Sequence, residues 1–393
     1  MSNTLSLAAV LSVLVLLASM ISVEFGISIA VIEIVLGIAA GNLLHLHPAD
    51  WLTFLASFGS IVLTFLAGGE VDPSVLRTRF KESALIGGCS FLLPFGGALL
   101  FARYGLGWGW RPAEIAACAM STTSLAVVYA VLVETGLNRS QIGKLIMAAT
   151  FVTDFGTAAA LTILFAKPNW WMVPFVGVSG LLIWLMPRLE DWFFARYGNR
   201  VIEPELKGAF AALFVLMWLG DKAHSHAVLP AFLLGLALAR TFERQRAQQQ
   251  RFRVVAFALL TPFFFIRSGM NVSLGAVWAN LGLVGAFLVV KVIFKFAGVY
   301  PLARRFARPH ATYTTLLMST GLTFGTISAT YGLNAGIINR AEFSVLVTVV
   351  VLTAVVPTAI AQRRFTPKAE VADPASAGGV HLREETVTGE GVA

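Results

Sequence analysis

Apolar runs, each about as long as a bilayer is thick, follow one another along the chain from Thr4 to about Ala361, with short polar breaks between them. A helix needs ~17–25 predominantly apolar residues to cross the hydrocarbon, and in lipid every backbone polar group must be satisfied internally, which leaves helices or closed barrels. The run length predicts an all-α polytopic membrane protein with about thirteen spans, over 4–22, 27–43, 51–69, 84–103, 112–133, 142–165, 169–186, 207–221, 227–240, 252–270, 277–299, 310–332 and 339–361. The first run has no basic region before it and no A-x-A-like cleavage site, so it reads as a span rather than a signal peptide.

Composition agrees: 57% of residues are hydrophobic and 13% charged, against roughly a quarter charged in a soluble domain. The formal charge of +8 is no nucleic-acid signal, because the basic residues sit in alternate loops. One side holds Arg77, Arg79 and Lys81, then Arg188 and Arg196, then Arg244, Arg246 and Arg251, then Arg304 and Arg305; the other has only scattered residues such as Arg111 and Lys222. The positive-inside rule then puts the crowded side in the cytoplasm, with the N-terminus outside and the C-terminus inside, as an odd number of spans requires, and the cytoplasmic (inner) membrane is the expected location. The segment 187–206, with Trp192, Phe193 and Tyr197 among charges, reads as a helix on the cytoplasmic interface, and 366–393 as a disordered tail. Cys89 and Cys118 lie within apolar runs and read as free thiols. No G-x-G-x-x-G follows a strand, and no H-E-x-x-H or G-x-S-x-G occurs, so neither a nucleotide-binding domain, a cofactor nor an enzyme activity is expected.

The chemistry lies in polar residues at mid-span. Asp154 is about 18 Å into its span at 1.5 Å per residue, and Lys291 is similarly placed in the eleventh. Ions at a helix centre cost about 2.5–3.5 kcal/mol each and mark ion or proton pathways. Ser121, Thr122, Thr123 and Ser124 in the fifth span, and Ser319, Thr320, Gly321, Thr323, Gly325 and Thr326 in the twelfth, fall at the same depth. Such clusters fit helices that unwind in the membrane and offer carbonyls to a cation, although small residues also serve plain helix packing. The two weak spans lie seven apart, an odd shift, which predicts an inverted repeat with two crossing discontinuous helices and a monovalent-cation site between them. A structural Asp154–Lys291 ion pair is the bland alternative. Lys295 reads as a snorkelling or cavity-lining charge. Glu33 fits either a structural partner or a gate, Arg267 a snorkelling or paired charge, and His45/His47 and His224/His226 interfacial residues rather than a pH sensor.

Four stretches carry a family resemblance: 55–77 (LASFGSIVLTFLAGGEVDPSVLR), 120–137 (MSTTSLAVVYAVLVETGL), 148–161 (AATFVTDFGTAAAL), and 262–270 (PFFFIRSGM) followed by 286–296 (AFLVVKVIFKF). In order and spacing the chain resembles the bacterial monovalent cation:proton antiporters, sodium/proton and potassium-efflux types, over roughly residues 5–362. The resemblance implies scaffold helices in 1–83 and 169–270, core helices in 84–168 and 271–365, and a homodimer. It implies Asp154 as the exchanging carboxylate, Lys291 as its ion-pair partner, and Thr153, Ser121, Thr122, Thr123, Ser124, Ser319, Thr320 and Thr323 around the sodium or potassium ion. Strongly electrogenic members carry two adjacent acidic residues, and Thr153 stands in place of the first, so electroneutral exchange by alternating access is expected. A sodium-coupled organic anion symporter of related fold is the alternative.

Overall fold

In the computed structural model the described residues are 2–70, 79–138, 140–166, 169–198 and 203–367. Among them every regular element is helical. The helices are α1 (Ser2–Phe25), α2 (Ile29–Asn42), α3 (Asp50–Gly69), α4 (Phe80–Leu100, extended by a π turn to Gly105), α5 (Trp110–Ser121), α6 (Leu125–Glu134), α7 (Gln141–Leu164) and α8 (Met172–Tyr197). Then follow α9 (Pro204–Lys222), α10 (Val228–Arg244), α11 (Arg246–Val255), joined through a π turn to α12 (Thr261–Met270), α13 (Leu274–Ala279), α14 (Leu281–Phe306), α15 (Ala311–Met318), α16 (Thr323–Asn334) and α17 (Arg340–Arg364). Nine helical stretches among the described residues are long and apolar enough to cross a membrane, and α2 is a shorter apolar helix.

Three boundaries differ from the sequence reading. The break expected after residue 186 is absent, because α8 runs on through Pro187 to Tyr197; a proline removes one helical donor, which a helix with packed neighbours survives. The second interruption is confined to 319–322, so Thr323 and Thr326 belong to the first turn of α16. The eleventh expected span divides into short α13 and long α14 at Asn280. Residues 71–78 and the tail from 368 lie outside the described residues.

The helices pack in two groups. In one, α2 and α3 hold α12, α3 also holds α10, and α8 packs on α9 and α10. In the other, α4 packs on α5, α7 and α14, α15 and α17 pack on α14, and α16 lies against α5 and α17. Gly298 sets the α4–α14 spacing: a Cβ there would lie 2.8 Å from the Cys89 carbonyl oxygen. That close approach carries Lys295, one turn before Gly298, to Ser90, next to Cys89. Gly298→Ala is therefore expected to push α14 off α4 at about 1–3 kcal/mol, the usual cost of overpacking, read as a lower thermal midpoint in detergent at fixed scan rate.

Candidate functional site

The two interrupted helix pairs meet at their breaks. α5 ends at Ser121 and the chain is extended through Thr122 (φ −65°, ψ 151°) to Ser124, where α6 begins. Against it lies the break between α15 and α16. The Thr123 hydroxyl donates to the Met318 carbonyl (2.9 Å), the Ser124 amide donates to Thr320 Oγ1 (3.4 Å), and the hydroxyls of Ser124 and Thr323 pair at 3.3 Å. Each break thus satisfies backbone groups freed by the other, as low-dielectric surroundings demand. The remaining hydroxyls bond locally: Ser121 to Cys118 O, Thr122 to Ala119 O, Ser319 to Thr315 O and Thr320 to Leu317 O.

Asp154, on α7, is fully buried, and its Oδ1 has no hydrogen-bond partner. Thr153 faces α4, donating to Gly87 O (3.2 Å) and Ala149 O (3.1 Å). The expected Asp154–Lys291 ion pair does not form. Lys291 is completely buried, yet its Nζ bonds to nothing and packs against Gly321, whose missing Cβ leaves the room it occupies. A Cβ on Gly321 would also lie 2.7 Å from Thr122 Oγ1.

The residue that ties the site together is Lys295, which does not snorkel. Wholly buried one turn beyond Lys291, it donates to Ser90 Oγ (2.8 Å), the Ser121 carbonyl (2.8 Å) and Thr123 Oγ1 (2.9 Å). All three ammonium protons are used. The Ser121 carbonyl is the C-terminal end of α5, where a helix carries partial negative charge that a cation complements. Lys291 lies one turn before Lys295 on the same helix, α14. Sequence reasoning placed both lysines on one helix face and ranked Lys291 first, with Lys295 as a snorkelling or cavity-lining charge; in the structure it is Lys295 that bonds across the break, while Lys291 Nζ has no partner. That reasoning missed Ser90 and Pro94 on α4, and Pro94 is the signal that was available: without an N–H, it leaves the Ser90 carbonyl with no helical donor.

Two cavities lie towards the two ends of α10. One of about 590 Å³ lies among α3, α9, the loop before α10, α12 and α16, with Ser60, His226, Arg267 and Asn334 in its wall. The other, of about 370 Å³, lies at the opposite end of α10, where Glu70 and Arg253 of one helix group face Tyr129 and Met147 of the other. Arg253 pairs with Glu70 at 3.4 Å and lies over the Tyr129 ring. Arg267 links the groups at the first cavity, donating to Thr53 Oγ1 (3.2 Å) and Asn334 Oδ1 (3.3 Å), so it is paired within the protein. In the loop before α10, burial lowers the His226 imidazole to about 4, which keeps it neutral near pH 7. Glu33 is buried on α2, and both cysteines are free. Among the described residues no group of three or more His, Cys, Asp or Glu is placed to hold a metal.

Known proteins resemble this chain along most of its length. The chain is 25% identical over 354 residues to the probable Na(+)/H(+) antiporter 3 of Methanocaldococcus jannaschii, covering 87% of this chain and 90% of that one. It is 23% identical over 376 residues to the Na(+)/H(+)-K(+) antiporter GerN of Bacillus cereus, covering 90% and 94%. Its fold superposes on the sodium proton antiporter MjNhaP1 of Methanocaldococcus jannaschii with a TM-score of 0.70 at 12% identity, over 93% of this chain and 100% of that structure. The family described as sodium/hydrogen exchanger, transmembrane, matches residues 9–362. With nine-tenths of its length inside that match, this multi-pass membrane protein belongs to the sodium/hydrogen exchanger family of monovalent cation:proton antiporters.

Proposed function

We propose that this protein exchanges one monovalent cation, sodium or potassium, for one proton across the cytoplasmic membrane by alternating access. The observation that carries this reading is the buried Asp154 carboxyl, its Oδ1 without a hydrogen-bond partner, one turn along α7 from Thr150, which reaches Met318 at the second break. A buried carboxyl is costly as a bare anion, so it is neutralised by a proton or by a cation in turn. If the helix group bearing it crosses only when neutralised, exchange is obligatory and leak is suppressed. The two cavities at opposite ends of α10 support access from either side.

The moving core in this reading is α4–α7 with α13–α17, and α1–α3 with α8–α12 form a scaffold that pairs two copies into a homodimer. The chain makes about thirteen crossings, with its N-terminus outside, its C-terminus inside and the 187–206 segment near the cytoplasmic surface. Thr153, Ser121, Thr122, Thr123, Ser124, Ser319, Thr320 and Thr323 line or brace the cation's place. The relatives, named as cation:proton antiporters, do not favour organic anion symport.

Dissipation of an imposed pH gradient in proteoliposomes, on adding each alkali cation in turn, tests this function. Cation-dependent dissipation is expected, at a rate unaffected by an imposed membrane potential, because only one proton and one charge trade places. Clear voltage dependence would defeat one-for-one exchange, and dissipation by no alkali cation would defeat antiport itself.

A further inference from the structure

A further cavity, of about 540 Å³, lies beside the 590 Å³ one and shares only Arg267 and Asn334 of its wall. It is bounded by α2 and the loop after it, the ends of α12 and α16, and the start of α17. The two cavities differ in sign. Asp221 faces the first, whereas the second is lined by Arg267, Arg340, His45 and His47 and, among the described residues, by no carboxylate. A wall of that sign repels alkali cations, so cation passage does not explain it.

Both guanidinium groups in this wall are held in place with donors to spare. Arg267, on α12 and only 7% exposed, donates from Nε to Thr53 Oγ1 and from Nη2 to Asn334 Oδ1. Arg340, in the first turn of α17, donates from Nε to the Asn271 carbonyl (3.0 Å) and from Nη2 to the Met270 carbonyl (3.3 Å). Those carbonyls lie one turn past Arg267 on the same helix end, so the two cationic heads meet at one place. Every partner is a neutral oxygen, and among the described residues neither arginine forms an ion pair. Nη1 of each bonds to none of those residues. An arginine keeps its charge in a protein, and a guanidinium buried without a counter-charge is costly.

We propose that this cavity binds a phosphate group, held between the Nη1 donors of Arg267 and Arg340, with the Asn334 side-chain amide and the His45 and His47 imidazoles as further donors. The planar guanidinium fork matches pairs of phosphate oxygens, and the phosphate supplies the negative charge that the wall lacks. The cavity has room for a hydrated inorganic phosphate or for the headgroup of an anionic phospholipid, and the recognition chemistry is the same for both. Bound there, a phosphate ties α12 to α16 and α17, which the two arginines already join through neutral oxygens. Asp154 takes no part in this wall, so the site stands or falls independently of cation–proton exchange.

The test uses the full-length protein purified in detergent. Radiolabelled inorganic phosphate is titrated by ultrafiltration at fixed ionic strength, with chloride as the balancing anion, and retained phosphatidylglycerol is counted by native mass spectrometry. One phosphate group per chain is expected: saturable inorganic phosphate where the free ion is the ligand, or phosphatidylglycerol that survives purification where the lipid is. Arg340→Gln, at an exposed position, is expected to weaken the phosphate affinity or reduce the retained lipid roughly tenfold, about what one hydrogen bond to a charged group contributes. Arg267→Gln is expected to do the same; should the loss of its bonds to Thr53 and Asn334 unfold that variant, Arg340→Gln decides alone. Arg304→Gln, in the last turn of α14, is expected to change neither reading. Three results overturn the proposal: neither saturable phosphate nor retained lipid, binding that Arg340→Gln leaves unchanged, or a loss as large in Arg304→Gln, which would mean diffuse attraction to a basic surface. Each leaves the antiporter reading intact, because that is decided by the pH-gradient assay.

Discussion

Asp154→Asn is expected to bring cation-driven proton movement down to the level of empty liposomes while the protein still folds and reaches the membrane. Asparagine has the shape of aspartic acid in its protonated form, so packing on α7 is kept and little stability is at stake. What it loses is the ability to release a proton and present a negative charge, and with those the exchange step disappears. The orphaned Oδ1 sharpens the expectation, because no hydrogen bond in the present structure depends on that oxygen. The checks are the pH-gradient assay, with thermal midpoint and gel-filtration profile as controls for folding. A variant that still couples cation and proton movement would remove Asp154 from the centre of the mechanism.

The second large effect separates the two lysines. Lys295→Met removes the donor to Ser90, Ser121 and Thr123 together. The Ser90 hydroxyl can then donate to Thr123 Oγ1, 3.4 Å away, while Thr123 keeps its bond to the Met318 carbonyl, which leaves the Ser121 carbonyl as the group stranded without a donor. An unsatisfied buried acceptor costs about 1–3 kcal/mol, so a clearly lowered thermal midpoint is expected, together with loss of normal exchange. Lys291→Met removes a side chain whose Nζ bonds to nothing and substitutes a flexible apolar one of similar length, so its midpoint should hold or rise. Equal destabilisation by the two substitutions would contradict the assignment of Lys295 as the tie across the site.

The two lysines also mark the limit of what one-dimensional pattern can decide. Run length predicted the apolar helices, because the thickness of hydrocarbon fixes how many residues a helix must keep apolar. The Ser/Thr cluster at 121–124 was legible as an interruption, since such residues weaken a helix and supply substitutes for its lost bonds. At 319–326 the same reasoning overshot, because Thr323 and Thr326 lie in the first turn of α16. Asp154 could be singled out because a carboxyl in mid-membrane is too costly to be incidental.

By itself, then, the sequence determined an all-helical membrane protein with two broken helices at one depth and a buried carboxyl beside them, since these follow from local composition and the bilayer's dimensions. Only the tertiary structure decided which ammonium reaches the break and which oxygens receive it. Lys291 and Lys295 share one face of one helix. Their roles differ because Gly298 lets α14 close on α4 at Cys89, putting Ser90 beside Lys295 while Gly321 gives Lys291 room without a partner. Partners brought together from positions 90, 121, 123 and 295 depend on how helices pack, and no local period or spacing encodes that.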